Sequence, residues 1–180
     1  MRVYTDKNAS EVGQYLETLA REWELYGQCP AIAGRPLNFV YFGGGTPTSL
    51  LTGQLDYLLG GLRERLDLTA LREWTVEANP ATVRAEKARL LRDMGVTRVS
   101  LGVQSWDDAL LKTRGRVHSA EQAEQTSAVL RASGLAAVNP DPRFAWPAPP
   151  PPHCPAHRGH PRPLHPAPPP PPLPPHAPTR

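Results

Sequence analysis

Apolar residues recur at helical spacing from Ala9 to Tyr26, at Val12, Tyr15, Leu16, Leu19, Trp23 and Tyr26. Asn8 and Glu11 precede this stripe as a capping box would. Leu37 to Phe42 is short, apolar and β-rich, and predicts a buried strand. Leu55, Leu58, Leu59, Leu62 and Leu66 mark a second helix. Trp74 to Ala78 predicts a strand, and Val83 to Met94 a helix closed by Gly95. Arg98 to Ser105 is the next strand. Ser119 and Gln122 cap a helix that runs through Val129 and Leu130 to Gly134, and Ala136 to Asp141 begins a further strand.

Strands that alternate with helices imply a parallel sheet with right-handed crossovers, hence an α/β fold. An open doubly wound sheet and a (β/α) barrel both satisfy the pattern. In either, ligands gather at the carboxyl ends of the strands.

Those ends are chemically distinctive. The first strand runs into Gly43-Gly44-Gly45-Thr46-Pro47, the second into Glu77-Ala78-Asn79-Pro80, the third into Gln104-Ser105, and the last holds Asn139 and Asp141. Turns are polar in any protein, but four polar ends in phase point to a shared pocket. The glycines are not a Walker loop, which needs lysine where Thr46 stands. They are not a dinucleotide fingerprint either, because Thr48 replaces its last glycine and Pro47 stiffens the helix start. They suit a ligand that meets bare backbone, with Thr46 adding a hydroxyl. Arg116, in Gly115-Arg116-Val117-His118, could hold a carboxylate in a forked pair; its ordinary alternative is a solvated surface arginine. His118 could act as base or ligand, or merely satisfy a loop. Trp106 is expected in the core.

Composition changes the picture at one end only. Residues 1–139 contain four prolines and residues 140–180 contain nineteen. Runs such as Pro149 to Pro152 build neither helix nor inner strand, so 148–180 is expected to be a disordered, polyproline-like tail. Net charge is +3, too small to argue for nucleic acid. No apolar run reaches membrane-spanning length and no signal peptide is evident, so a cytoplasmic protein without membrane partners is expected. Cys29 and Cys154 fit neither a disulfide framework nor a metal site.

The segments "YFGGGTPTSL", "EANP", "LLRDMGVTRVSLGVQSWDDALLKTRGRVH" and "AAVNPD" resemble, in order and spacing, the oxygen-independent coproporphyrinogen III oxidase-like family of radical S-adenosylmethionine (SAM) enzymes. The resemblance spans about Met1 to Pro147. It implies a partial (β/α) TIM-type barrel, incomplete here, over residues 1–147. It implies SAM as cofactor, bound to a 4Fe-4S cluster in intact relatives. By residue-wise match, Gly44, Gly45 and Thr46 are expected SAM contacts, as is Glu77. Gln104 and Arg116 match two further ligand contacts, and Asp141 a ribose-binding aspartate. The chemistry implied is reductive cleavage of SAM to a 5′-deoxyadenosyl radical and oxidative decarboxylation of porphyrinogen propionates in haem biosynthesis. A tetrapyrrole substrate and an electron donor are the partners implied for intact relatives.

Two departures accompany the resemblance. The family's CxxxCxxC cluster motif has no counterpart in this chain, and "RVYTDKNASE" looks like the segment that follows it. Such clusters are held by thiolates, so this chain is expected to be a fragment that lacks the first strand and does not itself cleave SAM. From Ala148 the likeness stops, and a frameshift near residues 140–148 is the expected origin of the tail, with a genuine proline-rich tail as the alternative. Three functions are therefore carried forward: a radical SAM oxidoreductase; a radical SAM methyltransferase or haem chaperone-like relative; and a non-catalytic, proline-rich interaction protein.

Overall fold

The computed structural model describes residues 8–142. Helix α1 (Ala9–Gly27) opens with the expected capping box: Asn8 Oδ1 accepts from the Glu11 amide at 3.0 Å, and Glu11 Oε2 from the Asn8 amide at 3.1 Å. Three strand-helix passages follow. Strand β1 (Phe39–Phe42) leads through a 3₁₀ turn, Pro47–Ser49, to α2 (Thr52–Arg65). Strand β2 (Glu73–Ala78) leads through a second 3₁₀ turn, Pro80–Thr82, to α3 (Ala85–Asp93). Strand β3 (Arg98–Gln104) is followed by a short helix α4 (Asp108–Thr113) and then α5 (Ala120–Ala132), before β4 (Ala137–Pro142). The α4 turn was not expected from apolar periodicity. It forms because Asp107 Oδ1 caps the amides of Ala109 and Leu110, at 2.8 and 3.2 Å.

The four strands are all parallel, in the order β1-β2-β3-β4. That order decides between the two architectures left open by the sequence. A doubly wound sheet reverses direction at a switch point. Sequential order with right-handed crossovers keeps every helix on one face, as in a barrel wall.

The strands alternate accordingly. Trp74, Val76, Val99, Leu101 and Val103 are fully buried against Leu55 and Leu59 of α2, Leu91 of α3 and Leu130 of α5. Burying each such aliphatic side chain contributes roughly 1.5–3 kcal/mol. The opposite face is polar. There Arg98 Nη2 pairs with Glu73 Oε2 at 2.9 Å, and Thr75 Oγ1 donates to Glu73 Oε1 at 2.8 Å. Burial alone would raise the Glu73 carboxyl, but the Thr75 hydroxyl and the Arg98 guanidinium outweigh it and hold it below its ordinary value.

Strand β1 departs from the expected burial. Val40 and Phe42 pack on the core, but Phe39 and Tyr41 are 54% and 52% exposed. Among the described residues β1 pairs only with β2, which makes it the edge strand, and the two exposed rings stack on each other at 6.3 Å. The tail expected over 148–180 lies outside the described residues, as does the part of the expected frameshift region, 140–148, that follows Pro142. No helix among the described residues is long and apolar enough to cross a membrane.

Candidate functional site

Because the strands are parallel, their carboxyl ends share one edge. A small cleft of about 160 Å³, partly open to solvent, lies there. Six of the seven residues predicted from sequence line it: Gly45, Thr46, Glu77, Gln104, Arg116 and Asp141. Gly44 adjoins the cleft through Gly45 without lining it. Asn79, Ser100 and Gly102 complete the polar wall. Ser100 and Gly102 were legible only as the polar-face alternates of β3.

The three glycines have two different causes. Gly44 and Gly45 have φ of +87° and +135°, and an added Cβ at either would meet nothing within 4 Å. They are glycine for the backbone conformation, and they leave open space beside bare peptide groups. At Gly43 the cause is contact. A Cβ there would lie 2.6 Å from Tyr41 Cε1 and 2.9 Å from Glu77 Cδ. Gly43 thus admits a hydrogen bond from the Tyr41 hydroxyl to Glu77 Oε1, a partner that sequence reasoning missed. That bond, together with partial burial and the charge of Glu77, pushes the Tyr41 phenol up to about 12.

Gln104 is the most constrained residue of the site. It is 7% exposed, and its φ is +68°, which makes it the one non-glycine with positive φ among the described residues. The Ser105 amide donates to the Val103 carbonyl at 2.8 Å, closing a γ-turn around Gln104. The register between β3 and β4 shifts at the same place. A non-glycine residue held in this region costs of order 1–3 kcal/mol, and such strain concentrates at functional sites. Gln104 Oε1 is buried without a hydrogen-bond partner, an arrangement that suits a donor brought by a ligand. Gly102 makes room for the amide, since a Cβ there would lie 3.2 Å from Gln104 Nε2.

Arg116 reaches the cleft from the loop after α4, its backbone anchored by the Leu111 carbonyl at 3.0 Å. It is half-buried, and it forms no ion pair among the described residues. His118 does not enter the cleft. It is 3% exposed, and its Nε2 lies 3.0 Å from the Val103 carbonyl, so the base and ligand roles considered for it give way to a loop contact. Trp106 packs against the core as expected.

Behind the cleft, Lys87 joins the first two strand-end loops. Its Nζ donates to the carbonyls of Thr48, Leu50 and Thr82 at 2.6, 2.9 and 3.1 Å. Thr48 and Thr82 share a hydrogen bond of 2.6 Å, and the Asn79 amide donates to Thr48 Oγ1 at 3.3 Å. Burial pulls the Lys87 amine below its ordinary value. Nothing in the sequence pattern marks this lysine.

The site suits a ligand that carries both signs of charge and hydrogen-bond donors. A carboxylate (Glu77), a guanidinium (Arg116), an orphaned amide acceptor (Gln104) and a second carboxylate (Asp141) surround one opening beside exposed peptide groups. The described residues do not suit a cluster. Cys29 is free and exposed, and no group of three His, Cys, Asp or Glu that could hold a metal exists among the described residues; Cys154 lies outside them.

Comparison with known proteins identifies the family and the fold. Residues 24–139 match the Radical SAM superfamily. The heme chaperone HemW of Lactococcus lactis is 38% identical over 136 residues, 76% of this chain and 34% of that protein. The oxygen-independent coproporphyrinogen III oxidase of Bradyrhizobium diazoefficiens is 33% identical over 132 residues, 72% of this chain and 29% of that protein. The solved structure of coproporphyrinogen III oxidase (HemN) from Escherichia coli, described as a radical SAM enzyme, superposes with a TM-score of 0.66 at 28% identity. It covers 78% of this chain and 32% of its own. The chain thus spans about a third of the length of these relatives. It belongs to the radical SAM superfamily, with a partial-barrel wall of the kind found in coproporphyrinogen III oxidase.

Proposed function

We propose that the cleft binds SAM and that the chain is the SAM-binding part of a radical SAM protein that handles porphyrins or haem. One observation carries the ligand assignment: the buried, unpartnered Gln104 acceptor shares its opening with Glu77, Arg116 and Asp141. Glu77 is the partner for the ammonium of SAM, and Arg116 can clamp its carboxylate in a fork. Asp141 and Gln104 accept from ribose hydroxyls. Gly44, Gly45 and Thr46 give the amino-acid part backbone amides, carbonyls and one hydroxyl. When bound and reduced, SAM supplies a carbon radical for hydrogen abstraction. The residues of this chain bind and orient it. No step is assigned to a cluster, because the described residues supply no ligand set for one.

The tetrapyrrole assignment rests on the relatives. Coproporphyrinogen oxidation, with an electron donor, is the reading favoured by the solved structure it superposes on. Haem delivery by a chaperone is a second reading, favoured by the 38% and 40% identity to HemW of Lactococcus lactis and Escherichia coli. Calorimetric titration with SAM tests the ligand, and saturable binding lost in Glu77→Ala is expected. Titration with haem, followed by its Soret band, tests the second reading. Stoichiometric haem binding supports a chaperone, and its absence favours the oxidase reading.

A further inference from the structure

His118 is nearly inaccessible, yet it lies outside the cleft. Its Nε2 faces the Val103 carbonyl at 3.0 Å. A carbonyl only accepts, so Nε2 carries a proton and donates it to the Val103 oxygen. Its Nδ1 is buried without a partner. The same Val103 carbonyl accepts from the Ser105 amide and closes the turn that forces Gln104 to positive φ. A strained turn persists only where its surroundings over-determine it. Here a second donor, arriving from 15 residues down the chain, pins the oxygen around which the turn is built.

We propose that His118 is a positioning residue: it braces the Gln104 γ-turn through the Val103 carbonyl and so holds Gln104 Oε1 ready for a ligand donor. This rests on the SAM reading for the identity of the ligand, but not for the brace itself.

The test has a ligand-free arm and a ligand arm. In the first, amide hydrogen exchange at Ser105 is followed in the full chain. His118→Leu is expected to accelerate it about tenfold or more. His118→Gln, whose side-chain N–H can replace Nε2–H, is expected to stay near the parent and guards against a leucine variant that merely unfolds. Unchanged exchange at Ser105 in a folded His118→Leu overturns the proposal, as does equal acceleration in both variants.

In the second arm, S-adenosylhomocysteine binding is measured for the parent, His118→Leu, Gln104→Ala and the double variant. The expected result is a loss of about tenfold for each single variant and no further loss in the double one, since both act through one contact. Additive losses overturn the proposal. If the parent does not bind this ligand, the SAM reading fails, and the exchange result alone decides the brace.

Discussion

Replacing Lys87 by methionine removes the ammonium that ties the loop after β1 to the loop after β2. Methionine keeps most of the stem's length and apolar packing, so the change isolates the charge. Three backbone carbonyls, of Thr48, Leu50 and Thr82, lose their donor. A buried acceptor left unsatisfied costs about 1–3 kcal/mol. The site is half-buried, so water can partly replace the donor and the low end applies, about 3 kcal/mol for the three. Against this, the folded protein no longer desolvates a charge, which offsets part of that cost. The expected net destabilisation is about 2 kcal/mol. For a chain of this size that is a fall of roughly 4–8 °C in melting temperature. Urea unfolding followed by tryptophan fluorescence measures it, with the exposed Lys112→Met as reference. Affinity for S-adenosylhomocysteine should fall as well, because Thr46 and Asn79 lie on the two loops that come apart. A Lys87→Met variant within about 0.5 kcal/mol of Lys112→Met, the scatter of ordinary surface changes, would refute the reasoning.

Tyr41 gives a pH signature. The difference in phenolate absorbance between the parent and Tyr41→Phe should show a step near pH 12 rather than at the ordinary value of 10.0. The folded pKa is raised, so the stability due to the Tyr41–Glu77 bond is fully present below about pH 10 and lost as pH rises through about 12. Tyr41 is half exposed, so solvent screening keeps the amount below about 1 kcal/mol, readable as the difference between parent and Tyr41→Phe unfolding midpoints. Gly43→Ala should disrupt the same pair by contact, moving that absorbance step back toward the ordinary value of 10.0, while Gly13→Ala on α1, where an added Cβ meets nothing within 4 Å, leaves it in place. Arg116→Lys should weaken SAM binding almost as much as Arg116→Ala, because an ammonium cannot reproduce a forked contact. Calorimetry on the two variants checks this, and normal binding by Arg116→Ala would make Arg116 an ordinary surface arginine.

The strand-helix alternation was legible because each element buries a stripe of the right period, as in Leu55, Leu59 and Leu62 of α2 or Val99, Leu101 and Val103 of β3. The site edge was legible for the same reason: parallel strands put their last residues together, so Glu77 and Gln104 could be placed in one cleft from position alone. What escaped is what depends on contact between distant residues. Tyr41 sits in an apolar run, and only the register of β1 against β2 brings its hydroxyl to Glu77. Lys87 reads as a solvated position in an amphipathic helix until the two 3₁₀ turns fold over it. The half-exposed state of β1 escaped because composition reports apolarity and not whether a neighbour covers it. Helix α4 escaped because a single capped turn is too short to show a period.

The central claim is that the strand-end cleft takes the amino-acid and nucleoside parts of SAM through different side chains. The most direct test compares binding of S-adenosylhomocysteine with that of methylthioadenosine, which lacks the amino-acid part, to the parent, Glu77→Ala and Asp141→Ala. Losing a hydrogen bond to a charged group costs roughly 1.5–3 kcal/mol, or about tenfold to a hundredfold in affinity. Glu77→Ala is predicted to weaken S-adenosylhomocysteine by that factor and leave methylthioadenosine unchanged, whereas Asp141→Ala weakens both. No binding to the parent, or a Glu77→Ala variant that binds both ligands as the parent does, would contradict the account.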